Sequence, residues 1–148
     1  MALDDDIRIL SGVTLFEGFT PDQLRLLAFG AERLRLDAGH VLFRAGDSAD
    51  CAYAVASGRV ALFSEGQRKA SGEAREGAML GEFALIADTT RPVSAVTATP
   101  CALLRLEQRD FRRILDEYPE LAERLQKRVA DDLQAMIARI ERLAPRFS

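Results

Sequence analysis

The sequence is poor in the residues that build metal sites and disulfide frameworks. It contains one histidine, His40, and two cysteines, Cys51 and Cys101. Neither cysteine lies near the histidine at the spacing of metal ligands, so we expect no metal and no cofactor. Both cysteines stand in apolar, strand-like surroundings, which favours two buried thiols in a reducing cytoplasm over the alternative, a disulfide.

Long apolar runs and a strong net charge are also missing. No apolar stretch approaches the roughly 20 residues that cross a bilayer. The first six residues are acidic rather than basic, unlike the start of a secretory signal. The formal net charge of −3 gives no general attraction to nucleic acid. We therefore expect a cytoplasmic protein with neither membrane nor DNA among its partners.

What is present is a chain of 148 residues, 48% of them hydrophobic, about the size of one domain. Leu34 and Leu36 alternate with arginines, which predicts a half-buried strand. The short strands that follow are separated by glycine turns and predict an antiparallel sandwich or barrel. Residues 64–76 lack apolar alternation, so we expect a short, exposed or irregular edge segment there.

Helical patterns flank this β region. Thr20 before Pro21 predicts the start of a helix. After Pro119, apolar residues recur at intervals of three or four residues over some 25 residues, which indicates a long helix. Its stripe suits either ordinary core packing or the seam of a homodimer. The stripe consists of Leu121, Leu125, Val129, Leu133, Met136, Ile137, Ile140 and Leu143.

We accordingly assign residues 1–148 to one domain. Residues 1–30 form an N-terminal helical segment, residues 31–106 the β region, and residues 107–146 the C-terminal helices.

The most informative stretch is residues 77–96. Gly81 lets the backbone approach a ligand closely, and Glu82–Ile86 can form one short helical turn. Arg91 offers donors that match a phosphate at two points, and Glu82 can accept hydrogen bonds from sugar hydroxyls. Together these residues predict a cradle for a phosphorylated sugar.

Gly81-Glu82-x-Ala84-Leu85-Ile86, with Arg91 ten residues after the glycine, resembles the phosphate-binding cassette of the cyclic nucleotide-binding domain. The spacing of Gly39, Gly46, Tyr53, Gly58 and Val60 resembles the front half of the same family, so the resemblance covers roughly residues 15–120.

The resemblance implies a mainly β fold, a β jelly roll (double-stranded β-helix) with N-terminal helices and a long C-terminal helix. It also implies that Glu82 holds the ribose 2′-hydroxyl and Arg91 the cyclic phosphate. Gly81, Phe83 and Ala84 would supply the surrounding backbone.

Pro92 departs from the family pattern. The residue after the arginine commonly donates its backbone N–H to the phosphate, and proline has none. Thr90 or Ser94 would have to replace that contact. A threonine after the arginine is associated with a preference for cGMP, so we expect the ligand of this chain to be cAMP.

The function we expect is that of a cyclic nucleotide sensor that changes its helix packing on binding and signals to an effector protein. The sequence has no nucleophile elbow or phosphate-binding lysine loop, and a hydrolase would also need a base or metal to activate water; we expect binding without turnover. Only five residues follow Leu143, so we expect no helix-turn-helix.

Two alternatives remain open. One is a ligand-free dimerisation or interaction module of the same fold, in which Glu82 pairs with Arg91. The other is a regulatory piece that acts on a separate kinase, channel or enzyme.

Overall fold

The computed structural model describes residues 2–13, 16–85 and 87–127. Within these ranges the strands form two four-stranded sheets and one two-stranded ribbon. The strands are β1 (Glu32–Leu36), β2 (Val41–Phe43), β3 (Ser48–Ala49), β4 (Cys51–Ser57), β5 (Val60–Phe63), β6 (Gly72–Ala74), β7 (Met79–Leu80), β8 (Thr89–Thr90), β9 (Ser94–Thr97) and β10 (Cys101–Glu107). The helices are α1 (Ala2–Ser11), α2 (Pro21–Gly30) and α3 (Gln108–Glu117), and residues 119–127 are also helical.

Every strand pairing in the described ranges is antiparallel. The first sheet has the order β1-β10-β4-β7 and the second the order β2-β9-β5-β6, while β3 pairs with β8. The strands alternate inward and outward side chains, so the inward faces bury one apolar core. Val55, Val60 and Ala95 are fully buried in this core, and Leu103 is almost so. The predicted mainly β, jelly-roll fold is confirmed.

The N-terminal helices cover the other face of the first sheet. α1 contacts β4 and α2 contacts β10. The predicted start of α2 is confirmed, because Thr20 and Gln23 form a reciprocal capping box with bonds of 2.9 and 3.2 Å. The Phe16 ring lies 6.0 Å from the ring of Phe111 on α3, which places an aromatic contact between the N-terminal segment and the helix that follows the sheets.

Two smaller predictions are also confirmed, those for residues 64–76 and for the cysteines. Within residues 64–76 the only strand is the three-residue β6, at the edge of the second sheet. Cys51 and Cys101 are free, buried thiols. His40 is an exposed residue in the turn before β2. In the described ranges, no helix has both the length and the apolar content to cross a membrane.

The described residues divide into two compact units, one ending at Ile114 and one beginning at Leu115. In the second unit Leu121 and Leu125, the first members of the predicted apolar stripe, are buried. The remainder of that stripe, from Val129 to Leu143, lies outside the described residues. The assignment of residues 1–148 to one domain stays a prediction.

Gly58 shows why the tight corners need glycine. It joins β4 to β5 with a φ of 89°, and a Cβ there would collide with Pro100 O and lie 2.7 Å from Cys101 Sγ. Gly66 has a φ of 78° with nothing within 4 Å of a Cβ, so Gly66→Ala is a matched control. We expect Gly66→Ala to lower the free energy of unfolding by about 1–2 kcal/mol, from backbone strain alone. Gly58→Ala should cost about 2 kcal/mol more, because overpacking adds to the strain.

Chemical denaturation of both variants measures the difference. Equal losses in Gly58→Ala and Gly66→Ala would contradict the close packing of this corner.

Candidate functional site: a buried arginine at the end of the sandwich

Arg91 is the central residue of the candidate site. It lies between β8 and β9, where its N–H donates to Asp47 O and its carbonyl oxygen accepts from Gly46 N, both at 2.8 Å. These two bonds fix the backbone at the point where the side chain turns inward. The side chain is only 4% exposed, which is unusual for an arginine.

Three groups surround the Arg91 guanidinium. Nη2 donates to Cys51 Sγ at 3.3 Å. The Phe43 ring lies beneath the guanidinium, with its centroid 4.3 Å from Cζ, a cation–π contact. Nη1 lies against Gly81, where any Cβ would collide with it. The requirement for glycine at position 81 therefore comes from the arginine as well as from the φ of 74°.

Two of the guanidinium nitrogens are buried without a hydrogen-bond partner. In the part of the chain that the structure describes, this holds for both Nε and Nη1 of Arg91. A buried charged donor that lacks a partner costs free energy, and native proteins rarely keep one without a reason. An anion would satisfy both nitrogens, since arginine binds phosphate through its fork of N–H groups.

The predicted short turn is present as a 3-10 helix over Glu82–Leu85. Ala84 N donates to Gly81 O at 3.0 Å, so this N–H is already used within the turn. Glu82 is half-buried, and Leu85 is fully buried beneath the turn. Phe83 lies within the turn, whereas Ile86 lies outside the described residues. Since Nε and Nη1 of Arg91 have no hydrogen-bond partner in the described ranges, neither is bonded to Glu82.

The remaining predicted site residues lie on either side of Arg91. Thr90 is exposed in β8 and pairs with Ser48. Pro92 is exposed in the bend after Arg91. Ser94 Oγ accepts a hydrogen bond from Ala45 N at 2.9 Å, so its oxygen already supports the neighbouring loop. Thr90 and Ser94 are the two residues expected to replace the N–H that Pro92 lacks, and Thr90 is the more exposed of them.

A polar patch continues from Arg91 along the inner face of the first sheet. Cys51 and Tyr53 on β4 lie opposite Glu107 and Arg105 on β10. Arg105 Nη1 donates to Glu107 Oε1 at 2.8 Å. Burial raises the pKa of Tyr53 above its ordinary value of about 10, and the side chain of Cys51 raises it further, while Arg105 opposes the shift. The end of the inner face near Arg91 is thus polar, whereas its centre is apolar.

Metal binding has no support in the described ranges, where no group of three or more His, Cys, Asp and Glu side chains could hold an ion.

The sequence does not predict the contacts of Cys51 and Phe43 with Arg91. Cys51 and Tyr53 stand two apart in a strand pattern, so a common face could be predicted. No sequence pattern predicts the contact between Cys51 and Arg91, which lie 40 positions apart. The contact depends on the order of the strands in the sheets.

The buried charge of Arg91 leads to a prediction about the stability of the protein. Arg91→Met keeps the aliphatic stem but removes the buried guanidinium. We expect the free energy of unfolding without ligand to rise by about 1–3 kcal/mol, because desolvating the charge costs more than its contacts to Phe43 and Cys51 return. Denaturant unfolding measures this change. The control is Arg75→Met, an arginine 75% exposed whose replacement should change stability by less than about 0.5 kcal/mol. A destabilised Arg91→Met variant would contradict the account.

The raised pKa of Tyr53 leads to a prediction about how ionisation and stability depend on pH. In a Tyr118→Phe background Tyr53 is the only tyrosine, and its ionisation, followed by tyrosinate absorbance, should have a midpoint above about 10. The folded state prefers the neutral phenol, so this stabilisation is complete below pH 10 and is lost as the pH rises through the raised pKa. The wild type should therefore lose stability relative to Tyr53→Phe above pH 10. A midpoint at or below 10 would show that the phenol is solvated.

The family model of the cyclic nucleotide-binding domain matches residues 33–118, more than half of the chain. A solved cyclic nucleotide-binding-like protein from Brucella abortus is 56% identical, with a TM-score of 0.70 over 76% of this chain and 99% of that one.

Among curated proteins, the cyclic AMP receptor protein of Thermus thermophilus is 30% identical over 133 residues, which is 88% of this chain and 58% of that protein. A lysophospholipase of Aspergillus fumigatus is 26% identical over 136 residues, 90% of this chain but only 9% of that protein. The chain thus spans less than two thirds of the length of either of these curated relatives.

The family match runs from the second residue of β1 past the end of α3 and contains the whole of the Arg91 site. The chain belongs to the cyclic nucleotide-binding domain family.

Proposed function

We propose that this domain binds a cyclic nucleotide, cAMP in preference to cGMP, and serves as a regulatory module rather than an enzyme. The observation that carries the proposal is the buried Arg91 guanidinium, whose Nε and Nη1 have no hydrogen-bond partner in the described residues. A cyclic phosphate has one negative charge and two free oxygens, which suit these donors. The family match is to a binding domain, and the cyclic AMP receptor protein is among the relatives, which supports a regulatory role rather than catalysis.

Glu82 is proposed to hold the ribose. It opens the 3-10 turn directly after Gly81, the residue against which Nη1 of Arg91 packs. A carboxylate and a guanidinium on adjoining sides of Gly81 can contact a sugar and its phosphate in the same ligand. Gly81, Phe83 and Ala84 would then border the ligand with backbone, and Thr90, Pro92 and Ser94, which lie within three positions of Arg91 in the sequence, would border it near the phosphate.

The output is proposed to be conformational. Asp88, between Gly81 and Arg91, accepts a hydrogen bond from Gln108 at 3.3 Å and lies 3.8 Å from Arg112. The segment that resembles the phosphate-binding cassette therefore contacts the first half of α3. Such exposed contacts are weak, worth up to about 1 kcal/mol, and can exchange when the cassette rearranges. A nucleotide shifts the population only if it binds one arrangement more tightly than the other. An effector protein, or a second copy of the chain bound through the C-terminal helix, would respond to this change in conformation.

Calorimetric titration with cAMP tests the binding site. Arg91→Met should weaken cAMP binding by at least about a hundredfold, because each charge-assisted hydrogen bond contributes about 1.5–3 kcal/mol. Glu82→Gln should weaken it by about tenfold. The matched control is Glu65→Gln, an exposed turn residue, which should leave affinity unchanged. Because Arg91→Met is expected to be more stable than wild type, its loss of binding cannot be ascribed to unfolding. A wild type that gives no heat with either nucleotide refutes the proposal.

The same titration with cGMP tests the choice of nucleotide. Wild type should bind cAMP more tightly, since Pro92 offers neither an N–H nor a hydroxyl. Pro92→Thr supplies both groups at an exposed bend and should raise the affinity for cGMP more than for cAMP. Tighter binding of cGMP by the wild type would show that the base is selected elsewhere.

A further inference from the structure

The side chain of Cys51 accepts a hydrogen bond from the Arg91 guanidinium. We propose that Cys51 is a positioning residue for nucleotide binding, whose sulfur fixes the orientation of Arg91 before the ligand arrives. The inference rests on the proposed function and extends it to a residue outside the cassette.

The contact is buried on both sides. Cys51 is 2% exposed and Arg91 4%, so water cannot replace the sulfur when Nη2 donates to it at 3.3 Å. Nη2 has two N–H groups, and the sulfur needs only one of them. Nε and Nη1 have no hydrogen-bond partner in the described residues and stay available to a ligand. Cys51 therefore orients the guanidinium while leaving most of its donors unused.

The backbone of Cys51 also lies next to the site. Its carbonyl oxygen would lie 3.4 Å from a Cβ at Gly81, the residue that Nη1 packs against. Cys51 is the first residue of β4 and lies opposite Glu107 of β10. The pairing of β4 with β10 therefore fixes the position of the sulfur. A fixed acceptor can hold the long side chain of Arg91 in one orientation.

A thiol suits this role better than a stronger acceptor. Sulfur is a weak acceptor and leaves the positive charge of Arg91 largely uncompensated. A carboxylate at the same place would form an ion pair and compete with the phosphate. Holding the guanidinium in one orientation in advance reduces the entropy that ligand binding must overcome.

The test is a titration of the full chain with cAMP in three variants. Cys51→Ala removes the acceptor, and Cys51→Ser, similar in volume to alanine, restores one. Cys101→Ala is the matched control, because Cys101 is a 5% exposed member of the same apolar core whose Sγ bonds to Arg59 O and Thr99 O instead.

We expect Cys51→Ala to weaken cAMP binding about tenfold and Cys51→Ser to recover affinity to within about threefold of wild type. Cys101→Ala should bind as wild type does, even if it lowers stability as much as Cys51→Ala. Equal affinities of the alanine and serine variants at position 51 would overturn the inference, and so would an equal loss in Cys101→Ala. Both results leave the proposed function intact.

A second measurement does not depend on nucleotide binding. The exchange rate of the Arg91 Nε–H with solvent, followed by nitrogen-15 NMR without ligand, reports how firmly the guanidinium is held. It should rise in Cys51→Ala and return toward the wild-type rate in Cys51→Ser. If the rate is the same in all three proteins, Cys51 does not position Arg91. If wild type binds no cAMP yet these rates differ as expected, the proposed function fails while the positioning role stands.

Discussion

The burial of one positive charge is the constraint on which the site depends. Arg91 is 4% exposed, with a thiol and a phenyl ring as neighbours, and within the described residues two of its nitrogens have no hydrogen-bond partner. Such an arrangement is unfavourable by itself, since a charge moved out of water must be compensated by partners. The fold tolerates it because the surrounding sheets position the backbone of Arg91 and supply enough apolar burial elsewhere. In the proposed function, this uncompensated charge is what attracts the anion.

The jelly roll supplies each part of this site from a different strand. β2 brings Phe43 under the guanidinium, the start of β4 brings Cys51, and the segment after β7 brings Gly81. The close approach at Gly81 depends on a φ of 74°, which glycine adopts without strain. The site is therefore a property of the folded sandwich rather than of the cassette alone. Substitutions in Phe43 or Cys51 should act on Arg91 although neither residue lies near it in sequence.

Local features were predictable from the sequence, whereas contacts across the sheets were not. The capping box at Thr20, the corner at Gly58 and the turn after Gly81 each depend on a few consecutive residues, whose backbone preferences can be read directly. Arg91 was identified by its chemistry and by its distance from Gly81. Its contact with Cys51 depends on sheet order and register, which link residues 40 positions apart. Ser94 was predicted as a ligand contact, and that role stays a prediction; its oxygen accepts from Ala45 N, a bond that only the packed loop reveals.

The most direct test of the central claim is a crystal structure of the protein with cAMP bound. The account predicts cyclic phosphate oxygens within about 3 Å of Nε or Nη1 of Arg91, with the guanidinium still over Phe43 and the ribose hydroxyl at Glu82. Nucleotide bound elsewhere, or Arg91 nitrogens that contact only water and protein at saturating cAMP, would contradict it.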